Sequence, residues 1–172
     1  MFAKKEIVTL PSKKIIGLEA RTSFQDEINP LTARISSLVL HYMQEGISQK
    51  INHKSNVGTT ICGYKNYDPS FQGGVSYEGP YTYFIGDEVS TLDNCPESLL
   101  ATEIPGGTYV KFTTHPGSMP LVIIQAWQEI WQMTEASLGG KRTYGVDFEV
   151  YDERAMNPMA ASIDIYVGIE KA

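Results

Sequence analysis

Glu149 stands in the run Asp147-Phe148-Glu149-Val150-Tyr151. A carboxylate set among aromatic and β-branched residues of an extended segment is the first residue to test for chemistry. Residues two apart in a strand share a face, so Glu149 and Tyr151 point one way, Phe148 and Val150 the other. Two arrangements follow. If the Phe148 and Val150 face packs beneath helices, Glu149 is a solvated strand carboxylate. If the Glu149 and Tyr151 face turns to a junction, Glu149 is a carboxylate in an aromatic-lined groove. A buried, unpaired carboxylate is costly and tends to protonate until a cation neutralises it. Aromatic faces around it add cation–π attraction, about 0.5–2 kcal/mol each. The second arrangement is therefore a site for lipophilic cations, with Trp127, Trp131, Tyr67, Tyr83 and Tyr151 as the candidate neighbours.

Trp127 and Trp131 are four residues apart, on one face of a helical stretch. They are either core residues or a groove wall, since each indole N–H needs a partner when buried. Other chemistries find no support. His41, His53 and His115 are scattered, with no ligand spacing between any two, so no metal site is expected. Gly106-Gly107 precedes a strand pattern and not a helix, which is the wrong context for a phosphate loop. There is no Gly-x-Ser-x-Gly elbow and no sequence-local triad. No cofactor is expected.

The elements that must position these residues fall into two similar units. Residues 64–68 (YKNYD) match 148–152 (FEVYD) at an offset of 84, and 83–88 (YFIGDE) match 165–170 (IYVGIE) at an offset of 82. At the first offset Tyr67 is the partner of Tyr151, and Lys65 of Glu149, so only one half presents the carboxylate. Each unit reads strand, helix, strand, strand. In the first, residues 14–21 are a strand, and Asn29-Pro30 cap a helix that ends near Gly46. Its apolar face carries Leu31, Ile35, Leu38, Val39 and Tyr42. Strands at 58–67 and 81–88 follow, separated by a turn-rich segment at 68–80. In the second, a strand at 107–114 precedes a helix over 119–134, stopped by Gly139-Gly140, and strands at 147–152 and 162–170. Ile163, Ile165, Val167 and Ile169 alternate on one face of the last strand. Residues 89–103 are the joint.

The expected fold is α+β, one domain over 1–172 with halves at about 1–90 and 104–172. Two pseudo-symmetric strand-helix-strand-strand units form one curved antiparallel sheet, with two helices on one side and a ligand groove between the halves.

Composition agrees with a folded domain. The chain has 172 residues, 42% hydrophobic and 20% charged, which excludes a disordered chain. Its formal net charge of −6 argues against a general nucleic-acid binder. No apolar run approaches the roughly 20 residues of a membrane span. The opening MFAKKEIVTLPSKK lacks the apolar core of a signal peptide. Cys62 and Cys95 form no Cys-x-x-Cys motif and no disulfide framework, and reduced thiols fit a cytoplasmic location.

The stretches IPGGTYVKFTTHPG (104–117), AWQEIWQ (126–132), DFEVYDE (147–153) and SIDIYVGIE (162–170), with IIGLEART at 15–22, resemble the GyrI-like small-molecule-binding domain. That domain is the effector-binding part of some AraC-type and MerR-type multidrug regulators. Val146 stands where a Pro often precedes the Asp-Phe-Glu run, and 156–161 is an unusual turn sequence. The resemblance implies the same two-unit fold, and a groove carboxylate, here Glu149, that binds cationic or lipophilic compounds. It also implies an alternative, since some standalone members look like hydrolases of reactive cyclopropane-bearing compounds. Glu149 with Tyr67 or Tyr151 would then be catalytic. A third reading is an acidic protein-interaction module that restrains a DNA-processing enzyme. Residues 1–13 are too short for a helix-turn-helix, so a standalone module without direct DNA binding is expected. The leading expectation is a binding protein for cationic, lipophilic aromatic small molecules.

Overall fold

The period-two pattern of the last strand sets the sheet. Ile163, Ile165, Val167 and Ile169 are all buried on one side, and the segment is extended from Asp164 to Glu170. The computed structural model describes residues 2–74 and 78–171; part of the turn-rich segment expected at 68–80 lies outside the described residues.

In chain order the strands are β1 (Phe2–Leu10), β2 (Lys13–Ser23), β3 (Thr60–Lys65), β4 (Pro80–Val89), β5 (Leu100–Ile104), β6 (Gly107–Thr114), β7 (Lys141–Arg142), β8 (Asp147–Tyr151) and β9 (Asp164–Glu170). The helices are α1 (Phe24–Ile28), α2 (Ile35–Gln44), α3 (Leu121–Trp131) and α4 (Glu135–Leu138). Every strand pairing is antiparallel, in the order β1-β6-β9-β8-β3-β4-β2-β5, with β7 added on β9. The two strand-helix-strand-strand units are β2-α2-β3-β4 and β6-α3-β8-β9, joined through β3 and β8.

Three strands lie outside the expected units: β1, β5 and the short β7, which pairs with β9. β1 occupies the N-terminal segment and pairs with β6 of the second unit, while β5 lies within the expected joint and pairs with β2 of the first. Each half thus lends its leading strand to the other. The links β1–β2 and β5–β6 are only two residues long, yet β1 and β5 are at opposite ends of the strand order. The sheet must curl until its ends approach. At Gly106 a Cβ would lie 2.9 Å from the Ser12 backbone nitrogen, so the two links press together where only glycine fits.

The first long helix starts later than its capping pattern suggests. Asn29 closes α1 instead of opening a helix, and its side chain accepts from the Leu31 N–H at 3.0 Å. Leu31 is 94% exposed, so it leaves the expected apolar face. α2 has no side-chain cap from its own N-cap Arg34. Glu27, from the preceding turn, accepts the N–H groups of Arg34 (3.0 Å) and Ile35 (3.3 Å) instead. A carboxylate at a helix N-terminus satisfies free donors and complements the dipole.

On the helix side of the sheet, α3 covers Val110, Phe112, Ile165 and Val167, and α2 covers Ile16, Cys62, Tyr83 and Ile85. Tyr64 and Tyr151 pack against both clusters, at the junction of the halves. The opposite face buries Ile15, Ile61, Phe84, Tyr109 and Phe148.

Register corrects the expected repeat. Tyr64 opposite Tyr83 on β3 and β4 corresponds to Glu149 opposite Ile165 on β8 and β9. The last strands keep their offset of 82, but the central strands are related by 85 residues and not 84. A slip of one residue turns every side chain to the other face. Lys65 accordingly sits on the opposite side of the sheet from Glu149, its Nζ 5.9 Å from the Phe84 ring centroid. The structural counterpart of Glu149 is Tyr64, and Tyr67 is not the counterpart of Tyr151.

Candidate functional site

Both faces of β8 are buried, which resolves the two arrangements open from the strand alone. Phe148 lies in the cluster on the far face, and Glu149 is 2% exposed on the helix side, directly opposite Cys62 of β3. Three aromatic donors hold its carboxylate. Trp127 Nε1, from α3, donates to Oε1 at 2.6 Å, and the Tyr64 hydroxyl, from β3, donates to the same oxygen at 2.9 Å. The Tyr151 hydroxyl donates to Oε2 at 2.6 Å. Among the described residues no Lys, Arg or His comes within ion-pairing distance of it.

Further rings surround this core. Tyr64 packs edge-on against Trp127 (centroids 5.2 Å), Tyr83 (5.5 Å) and Tyr81 (5.6 Å). These side chains line the junction where a groove is expected. Burial pushes the Glu149 carboxyl above the ordinary 4.5, and the three donated hydrogen bonds pull against that rise. Burial, reinforced by the Glu149 charge, holds the Tyr64 and Tyr151 phenols well above 10.0. Cys62 is pushed up by burial first and by Glu149 second, so it is an inert thiol.

The expected neighbours divide. Trp127 and Tyr151 bond Glu149 directly. Tyr83 reaches the cluster through Tyr64. Trp131 does not face Glu149. It is 37% exposed on the outer side of α3, where its ring meets Phe24 of α1 edge-on, with centroids 6.0 Å apart at 86°.

Tyr67 also serves another residue. Its hydroxyl donates to Asp147 Oδ2 at 2.7 Å. Arg142 Nη2 bonds the same oxygen at 2.6 Å, and the Gly168 N–H bonds Oδ1 at 2.9 Å. Asp147 is fully buried, so its charge is matched internally where that of Glu149 is not. Tyr67 therefore stands in a neighbouring ring cluster with Phe71 (5.1 Å), Tyr144 (5.7 Å) and Tyr81 (6.2 Å).

Tyr64 and Tyr81 are the site residues that sequence reasoning missed. The signal for Tyr64 was its strand alternation with Cys62, which the 84-residue alignment concealed. Tyr81 carried no signal beyond its type. Its phenol is raised by burial first, then by the charges of Glu27, Glu149 and Asp26.

Among the described residues no group of three or more His, Cys, Asp or Glu is arranged to hold a metal. No helix of the described residues is long and apolar enough to cross a membrane.

The family model for Cass2, integron-associated effector binding protein, matches residues 6–169. YobU of Bacillus subtilis (strain 168), whose name carries a provisional assignment as a transcriptional regulator protein, is 29% identical over 165 residues, covering 96% of this chain and 97% of YobU. The Vibrio cholerae integron cassette protein VCH_CASS2 superposes with a TM-score of 0.74 at 24% identity, over 98% of this chain and 97% of that one. SAV2435 bound to tetraphenylphosphonium superposes with a TM-score of 0.72 at 16% identity, over 97% of this chain and 94% of the other. Both likenesses show the fold, and both partners are similar to this chain across nearly its whole length.

Proposed function

We propose, for a chain that belongs to the Cass2 family of integron-associated effector binding proteins, that it binds cationic, lipophilic aromatic small molecules with Glu149 as the counter-charge. One observation carries the reading. Glu149 is a buried carboxylate ringed by aromatic side chains, with no basic partner among the described residues.

Tyr64, Trp127 and Tyr151 hold the carboxylate in place without neutralising it. In the low dielectric of the junction a monovalent cation is attracted far more strongly than in water. The faces of Tyr64, Tyr81, Tyr83 and Trp127 supply apolar contact and cation–π attraction to the same ligand. A small molecule that lacks positive charge gains only the apolar part. A relative in fold, SAV2435, has tetraphenylphosphonium bound, a monovalent lipophilic cation, and this supports the ligand class.

Tyr64, Tyr81 and Tyr151 remain partly exposed at the junction, which gives a ligand its approach. Trp131 and Phe24, which bridge α3 of one half and α1 of the other, are the exposed rings at its outer edge. The two phenols of the hydrolytic alternative serve different carboxylates, Tyr67 donating to Asp147 and Tyr151 to Glu149.

The test is quenching of tryptophan fluorescence by tetraphenylphosphonium and by rhodamine dyes, with Glu149→Gln beside the wild type. Saturable quenching in the wild type, weakened at least about tenfold in the variant, is the expected result. Equal binding by both proteins would refute the role of Glu149. Product analysis of the same mixtures should return the compounds unaltered.

A further inference from the structure

The count of lone pairs on Glu149 narrows the ligand class further. An ionised carboxylate offers about four acceptor positions, two on each oxygen. Oε1 receives both Trp127 and Tyr64, and Oε2 receives Tyr151, so three are taken and one remains, on Oε2. All three donors are aromatic side chains at the junction of the halves, Trp127 buried and Tyr64 and Tyr151 partly buried.

From this we infer that the site selects cations without N–H groups, such as quaternary ammonium and phosphonium ions, over protonated amines of the same size and charge. The inference rests on the reading of Glu149 as counter-charge and adds what that reading leaves open.

A protonated amine loses strong hydrogen bonds to water when it enters, and must replace them. A primary ammonium carries three N–H donors and finds one free position on the carboxylate. To gain more it must evict Trp127, Tyr64 or Tyr151, and the evicted donor is then stranded among rings. The phenol oxygens can accept, but their own O–H groups are aimed at Glu149. Their lone pairs therefore lie to the side of the carboxylate, and an N–H satisfied there does not serve the fourth position as well. A quaternary cation asks for no acceptor. Its charge is spread over surrounding carbon, it is weakly hydrated, and aromatic faces with a fixed anion satisfy it fully.

The experiment is a matched series: naphthylmethyl-trimethylammonium, the corresponding protonated dimethylamine with one N–H, and the primary ammonium with three. Dissociation constants are measured at a pH below the amine pKa values, so that all three carry one charge. In the wild type, affinity should fall with each N–H, by about tenfold or more from the quaternary to the primary ion.

Methyl groups also add apolar surface, so a second protein separates the causes. Tyr151→Phe keeps the ring and frees both positions on Oε2. It should strengthen the N–H-bearing ions relative to the quaternary ion and narrow the ratio at least about threefold. Equal affinities across the series, or a ratio that Tyr151→Phe leaves unchanged, would overturn the inference. If all three ions bind alike yet Glu149→Gln abolishes their binding, the counter-charge reading stands and this selectivity falls. If none of the ions binds the wild type, both fall together.

Discussion

The indole Nε1 of Trp127 lies 2.6 Å from Oε1 of Glu149, tying helix α3 to strand β8. The Tyr64 hydroxyl reaches that same oxygen from the other half of the molecule at 2.9 Å. The two pseudo-symmetric units therefore meet on a single carboxylate oxygen. Their central strands put Tyr64 and Glu149 at equivalent positions, so a symmetric scaffold yields an asymmetric pair of donor and acceptor.

Trp127→Phe keeps an aromatic ring beneath α3 and removes the indole N–H. A hydrogen bond to a charged group contributes roughly 1.5–3 kcal/mol, so urea unfolding at neutral pH should show a loss of that order. In a Glu149→Gln background the acceptor is neutral, and the loss should shrink to about 1 kcal/mol. The same loss in both backgrounds would mean that the ring's packing matters and the bond does not.

The buried carboxyl also makes stability depend on pH. Burial raises Glu149 above 4.5 in the folded state. The folded chain then holds this proton at pH values where the unfolded chain has released it. Stability from this group is full below the unfolded value and declines as pH rises from there through the raised folded value. Glu149→Gln removes the titration. The wild type should lose stability relative to the variant as pH rises from about 4.5, and the two should run parallel above the folded value. Parallel curves throughout would show that Glu149 has its unfolded affinity for protons.

Asp147 provides the contrasting case. It is fully buried, and Arg142 supplies its only counter-charge among the described residues, at 2.6 Å. Arg142→Met should cost about 3–5 kcal/mol, because it leaves a buried charge unmatched. Asp147→Asn in that background should restore part of the loss. Tyr67→Phe, which removes one neutral donor from Asp147, should cost less than Arg142→Met and leave cation binding at Glu149 intact. Loss of binding in Tyr67→Phe would return Tyr67 to the site.

Phe24 and Trp131 bridge α1 and α3 at the outer edge of the junction. Phe24→Ala removes half of that edge-on pair. Stopped-flow quenching should show faster association and faster release of tetraphenylphosphonium, with a change in affinity smaller than the change in either rate. Unchanged rates would place the entrance elsewhere.

How much of this was legible in the sequence depended on whether the cause was local. The alternation Ile163, Ile165, Val167, Ile169 needs only the pleat, and it marks β9 correctly. Glu149 stood out because a carboxylate among aromatic and β-branched residues is unusual in a strand, and the two-unit architecture followed from repeated motifs.

What failed was set at a distance. The start of α2 depends on Glu27, seven and eight residues before the N–H groups it accepts, so Asn29-Pro30 misled as a cap. β1 and β5 are strands because each finds an edge on the other half of the molecule, which no window of the sequence contains. The partner of Glu149 was misplaced by the parity of one offset. At 84 residues the alignment paired Glu149 with Lys65 and Tyr151 with Tyr67, and only the ladder, which requires 85, makes Tyr64 the counterpart of Glu149.

The central claim is that an ionised Glu149 is the counter-charge for a bound cation, and proton linkage tests it most directly. Calorimetric titration with tetraphenylphosphonium in two buffers of different ionisation heat, repeated across the acid limb, counts the protons released on binding. The wild type should release protons where free Glu149 is partly protonated, and should bind more tightly as pH rises through that range. Glu149→Gln should bind weakly and release none. Binding that is equally tight in the two proteins, or proton release that persists in Glu149→Gln, would contradict the account.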